Sequence, residues 1–456
     1  MSTPGAGMQR LLVQTQLSNY TPGGKFILEC DSGWQMVMGR VREMLRLNPN
    51  LSIDVMGPLA ALGSSSENQC VTHPFDVNPD LWGKHSCMLG GDDRLSYLEH
   101  RILPNALATR YDFSWEPLSR ALHLQQQRSG AGPRWDAVYV NDPMHLRNLR
   151  AMFHVVGGYT PRFIVHSHFI DTPGCPKFPQ EASLWWGQCE AALRADHNFW
   201  QCESSMKEFM AEMIGWYSPG VVDDVRSRST PWDDGYSLEE ITSPIDESKV
   251  RFTGEEWRSR VGGKVVLFLP NRISPSSGDY TNGMRFVQDI LPALRQRTQD
   301  FVLVCGNPNQ KLTNQELERM CGQHGYVSLV PDSLNRDEFK YVARHAQVAL
   351  GLYNRDAYGG TAARECVELG CLPLWLDCNE YSSIAREAGG GYPFLVRPDL
   401  SDAVDRLEHA IGVLRGGDAR GAARWVNRIR DVVRSRCSYE ATTPAAMRCM
   451  GLLPGA

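Results

Sequence analysis

Gly359-Gly360-Thr361 stands directly before AARECVEL, and that junction is the stretch best suited to chemistry. Glycine has no Cβ, so it lets a ligand approach the backbone or lets the chain turn with positive φ. A helix beginning at Thr361 offers N–H groups at its start, where anions, phosphate above all, are favoured. Gly370 stops that helix, and CLPLWL beyond it has the length and apolarity of a strand buried on both faces. A tight αβ packing turn is the plainer use of a lone Gly-Gly. Arg272 closes the apolar run KVVLFLPNR, where a guanidinium needs a partner. Its planar fork fits a phosphate, and an interdomain salt bridge is the alternative. In RFIVHSHF we expect His166 and His168 to point to opposite faces of one strand, so that at most one serves a site. Asp142, which ends WDAVYVND, and Asp171 are weaker candidates for a general base. Gly23 and Gly24 follow the first strand in a second glycine-containing loop.

The elements that must position these residues alternate along the chain. LLVQTQL (11–17), SIDVMG (52–57), WDAVYVND (135–142) and RFIVHSHF (162–169) read as strands, with helices through WQMVMGRVREMLRL, 181–196 and 204–217. Residues 59–100 are rich in turn formers and read as a loop-rich insertion. The segment 218–262, rich in Pro, Ser, Asp and Arg, reads as a linker. Strands then resume at 264–272, 300–306, 326–330, 347–353 and 371–376, separated by helical patterns. Strands alternating with helices predict βαβ units and parallel sheets. We therefore expect an α/β protein of two Rossmann-like, doubly wound domains. An N-terminal domain over 1–217 and a C-terminal domain over 263–437 would face across a cleft, with a tail, 438–456, packing back on the first. Ligands of such sheets sit at the carboxyl ends of the strands.

The bulk composition narrows the classes. A chain of 456 residues exceeds one ordinary core, and 42% hydrophobic with 22% charged residues is a globular balance. A net charge of -5 argues against coating nucleic acid or membrane by charge alone, though not against a local basic face. No apolar run approaches a membrane span, and the N-terminus lacks a signal-peptide pattern. Thirteen cysteines without a CxxC pair suggest reduced thiols and a cytoplasmic protein. The acidic pairs Asp92-Asp93 and Asp233-Asp234 fall in loops without ligand geometry, so no metal is expected. The arginines at 415, 420, 424, 428, 430, 434 and 436 form the strongest basic cluster. It would serve either a phosphate backbone or a solvated helix face.

The run LNRDEFKYVARHAQVALGLYNRDAYGGTAARECVELGCLPLWLD resembles the retaining glycosyltransferases of GT-B fold, family-4-like. ECVELGCLP (365–373) is similar to that family's E-A-x-A-x-G-C-x-P signature, and VLFLPNRIS to the strand ending in its donor-phosphate arginine. The likeness covers about 264–380. It departs from the pattern at two places: Ala357, beside Asp356, stands where the family has a second glutamate, and no lysine follows Arg272. The resemblance implies a nucleotide-sugar donor, UDP- or GDP-linked, a hydroxyl acceptor and no cofactor. Gly23, Gly24, Arg272, Gly359, Gly360 and Thr361 would hold the diphosphate and Glu365 the two ribose hydroxyls. Asp356 would meet donor-sugar hydroxyls, and His168, with Asp142, would lie near sugar and acceptor. The rebuilt NRISPSSGDYTNG loop is similar to virus-encoded members, some of which modify hydroxymethylated bases in DNA. That makes modified DNA one candidate acceptor. A nucleotide-sugar binder or epimerase-like protein is the reading outside transferases.

Overall fold

The computed structural model describes residues 9–15, 32–58, 92–100, 115–127, 134–168, 170, 182–270, 273, 282–306, 319, 325–330, 334–353, 360–416 and 419–453. Backbone contacts divide the chain into two units, 1–233 with 442–456, and 234–441.

The first unit carries the strands β1 (Gln9–Gln14), β2 (Leu51–Pro58), β3 (Leu95–His100), β4 (Ala137–Val140), β5 (Arg162–Ser167), β6 (His197–Trp200) and β7 (Ser229–Pro231). All pair in parallel in the order β3-β2-β1-β4-β5-β6-β7. Side chains alternate across the sheet. Leu11 and Val13 pack one face with Val37, Met44 and Met447, and Leu12 packs the other with Leu122, Leu149 and Phe153. Helix α1 (Ser32–Leu47) buries Val37, Val41 and Met44 there, with Arg40 fully buried among them.

The second unit carries β8 (Val265–Leu269), β9 (Phe301–Gly306), β10 (Val327–Val330), β11 (Val348–Gly351), β12 (Leu372–Leu376) and β13 (Leu395–Val396). These are again parallel, in the order β10-β9-β8-β11-β12-β13. VVLFL, VALG and LPLWL are buried along their whole length, as strands covered by helices on both faces must be. The helices that matter below are α2 (Arg336–His345), α3 (Thr361–Glu368), α4 (Asn379–Glu387), α5 (Ala419–Cys437) and α6 (Tyr439–Met450).

Two segments differ from the sequence expectation. Residues 218–262 are not a plain linker. They hold β7 and the helices Pro219–Ser227, Leu238–Thr242 and Gly254–Val261, and the divide between units falls inside them. Their apolar positions are sparse yet buried: Val222, Val225, Trp232, Ile241 and Trp257. The stretch read as an insertion ends in β3, an edge strand, while 59–91 lie outside the described residues. The C-terminal tail is helical through α6 despite Pro444.

Candidate functional site

α3 begins after β11, which pairs with β8 where the strand order reverses, the place where open α/β sheets take ligands. Gly360 is its N-cap, with extended backbone (φ -79°, ψ 132°), and no side chain caps the first turn. A Cβ on Gly360 would fall 2.1 Å from Cε2 of Tyr353, so a larger residue there would have to displace that ring. The Gly360 N–H donates to the Tyr381 hydroxyl at 2.9 Å, which fixes the loop end before the helix. Tyr381 stacks on Trp375 of β12 at 4.6 Å, and burial raises its pKa, so the hydroxyl keeps its proton. The Gly360 N–H therefore already has an acceptor, and an anion at this helix would rely on the turn that Thr361 opens. At the other end Gly370 has φ +105°; its N–H reaches the Val367 carbonyl and that of Cys371 the Cys366 carbonyl. That is the glycine stop expected of Gly370.

Glu365 lies one turn into α3 and is 6% exposed. Both its oxygens accept from Arg336 of α2, Oε1 from Nη2 at 2.6 Å and Oε2 from Nη1 at 3.0 Å. Arg336 Nε donates to Glu240 Oε1 at 2.7 Å, and the guanidinium lies over the Phe339 ring at 5.5 Å. Burial works against the charge of Arg336, but the two carboxylates outweigh it and raise its pKa. Arg364, fully buried beside Glu365, donates from Nη1 to the Asp234 carbonyl at 2.8 Å. Three residues on, Glu368 is held by Arg434 of α5 and by the Tyr236 hydroxyl. The signature segment is thus a row of carboxylates, each ion-paired.

In the first unit the strand-end residues converge at the carboxyl ends of β4 and β5. The histidines correct the sequence reading. His166 and His168 lie on one side, their ring centroids 4.1 Å apart, because side chains two apart on a strand share a face. Both are buried. His168 Nε2 meets Asn141 Oδ1. His166 Nδ1 accepts from Arg40 Nη1 at 2.6 Å and meets the Tyr139 hydroxyl at 2.7 Å. Arg40 also donates to the carbonyls of Trp232 and Asp233 and lies 4.2 Å from the Trp232 ring centroid. Burial first, then His168 and Arg40, hold the His166 pKa well below 6.5, so its ring is neutral. Asp142 is fully buried and caps the short helix Pro143–His145, accepting from Met144 N at 3.1 Å. Its own N–H donates to Gln14 Oε1 at 3.0 Å.

Of the predicted residues the structure thus places Gly360, Thr361 and Glu365 together at α3, and Asp142 with His168 at β4 and β5. Gly23, Gly24, Arg272, Asp356 and Gly359 lie outside the described residues, as does Asp171. Arg285, which follows the segment where the lysine is missing, donates to the Asp399 carbonyl at 2.8 Å. Asp92 pairs with Arg94 at 2.6 Å. Sequence reasoning missed Arg336, Tyr381, Arg40, Tyr139 and Asn141. The signal for Arg336 was present as a charged residue opening a helix in LNRDEF, but nothing local pointed to Glu365.

No family model matches the sequence, and no curated protein matches it. Solved structures do. HepE from Anabaena, determined with UDP, aligns at TM-score 0.61 and 12% identity over 98% of this chain and 100% of its own. The same protein has also been determined with UDP-glucose. The α,α-trehalose 6-phosphate synthase of Burkholderia multivorans aligns at 0.61 and 16% over 97% of this chain and 98% of its own. Sucrose-phosphate synthase of Thermosynechococcus elongatus gives 0.61 and 12% over 96% and 98%. The fold is GT-B. In GT-B terms the first unit is the N-terminal Rossmann-like domain, with a seven-stranded sheet, and the second the C-terminal one, with six strands. Among the described residues no helix is long and apolar enough to cross a membrane.

Proposed function

We propose that this GT-B protein is a glycosyltransferase that moves a sugar from a nucleotide-sugar to a hydroxyl acceptor with retention at the anomeric carbon. The observation that carries the reading is α3: an uncapped helix start preceded by a glycine packed on Tyr353, with a buried, ion-paired glutamate one turn in. The helix start suits the donor diphosphate and Glu365 a ribose hydroxyl. In the reaction the bond from the anomeric carbon to the phosphate oxygen breaks, and the acceptor oxygen bonds to that carbon from the same face. The acceptor proton passes to the leaving phosphate, so nucleoside diphosphate and glycoside are the products. Stabilising charge on that phosphate is the main demand on the protein. His168, held by Asn141, is assigned to sugar and acceptor binding. UDP is the first donor nucleotide to try, since HepE has been determined with it.

The basic cluster gives little support to nucleic acid as acceptor. In the basic cluster Arg415 pairs with Asp300, Arg430 donates to the Val367 carbonyl, and Arg434 and Arg436 pair with Glu368 and Glu380. Those arginines hold the fold together. The test is nucleotide release from UDP-, GDP- and TDP-sugars, alone and with sugar, peptide or hydroxymethylated duplex DNA acceptors. Release that falls at least about a hundredfold in Glu365→Ala is expected. Nucleotide binding without release from any donor would overturn the catalytic reading in favour of a binder. Conversion of the free nucleotide-sugar without release would point to an epimerase-like protein.

A further inference from the structure

Arg336 is the first residue of α2, and its guanidinium is held on three sides. Two nitrogens bond the two oxygens of Glu365, the third bonds Glu240, and the Phe339 ring lies against it. We propose that Arg336 is the positioning residue for Glu365, fixing its carboxylate so that one oxygen accepts from a ribose hydroxyl of a ribonucleoside diphosphate. The inference deepens the functional reading above and rests on it.

The geometry accounts for both ends of the interaction. A carboxylate oxygen has two lone pairs, and a guanidinium fork uses one on each oxygen. The second lone pairs point away from the fork and diverge, so one carboxylate oxygen remains to accept from one ligand hydroxyl. A glutamate on a helix surface otherwise samples many rotamers and loses that freedom on binding; one locked beforehand does not. Glu240 matters because one guanidinium facing two carboxylates leaves the group net negative. It therefore attracts hydroxyl protons and repels the diphosphate, which keeps the two ends of the nucleotide apart. Glu365 is 8% exposed by its side chain while Arg336 is 35% exposed, so the carboxylate is the buried, oriented partner and the arginine its support.

The experiment is calorimetric titration of the intact protein with UDP and GDP, taking the tighter, and with its 2′,3′-dideoxy analogue. Glu365→Ala is expected to weaken the ribonucleotide about tenfold and to leave the dideoxy analogue nearly unchanged. Arg336→Gln is expected to show the same selectivity and to add nothing in the Glu365→Ala background. Arg336→Lys keeps the charge without the fork and should fall between; it carries the comparison where Arg336→Gln fails to fold in a thermal melt. An Arg336→Gln loss that is equal for both nucleotides, or that adds in full to Glu365→Ala, overturns the proposal and leaves the role of Glu365 standing. Unchanged ribonucleotide binding in Glu365→Ala overturns both.

Discussion

His166 shows how far a tertiary setting moves a single residue. Its ring is fully buried against Arg40, Tyr139, His168 and Trp232, and it stays neutral in the fold. Unfolded, it titrates near 6.5, so below that pH the unfolded chain takes up a proton that the folded chain refuses. This stability is present in full above 6.5 and is lost as pH falls, at a limiting slope of about 1.4 kcal/mol per pH unit. His197, lowered to about 4 by burial with Arg162 and Arg228 nearby, adds in the same direction. Urea melts at pH 7.5 and 5.5 should show the loss, and His166→Gln should flatten it; an unchanged slope would place the acid sensitivity elsewhere. Gly360 is the other decisive residue. Gly360→Ala sets a methyl against Tyr353 and should cost about 1–3 kcal/mol. Tyr353→Ala should recover part of that loss in the double variant, which a backbone-strain origin would not allow.

At the level of elements, α5 is joined to the site helix by charge. Arg434 bonds Glu368 through Nε at 2.8 Å and 3.0 Å, and Arg436 pairs with the buried Glu380 of α4. Breaking such a pair on the arginine side leaves a buried carboxylate without its partner. Arg434→Ala should therefore cost about 2–3 kcal/mol in a urea melt, and Glu368→Gln distinctly less, because the amide keeps the Tyr236 hydroxyl as a partner. Equal losses would mean that packing, not charge, holds the helix. The same pairs explain an ambiguity in the sequence. An arginine-rich helix reads alike whether its charges face water, phosphate or carboxylates elsewhere in the chain, and the carboxylates of α3 and α4 were invisible to that reading. Short strands were hidden for a related reason: HNFW and STP have too few residues for a period to show.

For the whole molecule the notable feature is that 442–456 belong to the first unit. Ala446, Met447, Met450 and Leu452 join the core of Leu11, Val13 and Val37. Arg162 and Asn48 donate to the carbonyls of Met450 and Leu452 at 2.9 Å and 2.7 Å. A chain ending at residue 441 should thus lose hydrogen-exchange protection in β1, β2 and α1, while β8, β9 and β11 keep theirs. Uniform loss through both units would contradict that division. The parallel βαβ plan was legible because apolar runs such as VVLFL and LPLWL can be buried only by helices on both sides. The glycine-led helix and Glu365 were legible because their chemistry is local: a missing Cβ, a helix start, a carboxylate one turn away.

What the sequence determined by itself is therefore the part fixed by near neighbours: strand and helix periodicity, the Gly370 stop, and the glycine-led helix start at Gly360-Thr361. Tertiary structure alone decided which charges meet. Arg336 reaches Glu365 across 29 positions and Arg40 reaches His166 across 126, and only folding brings them within hydrogen-bond range. Burial then set the protonation of His166, since removing water penalises its charged form whatever its neighbours in the chain.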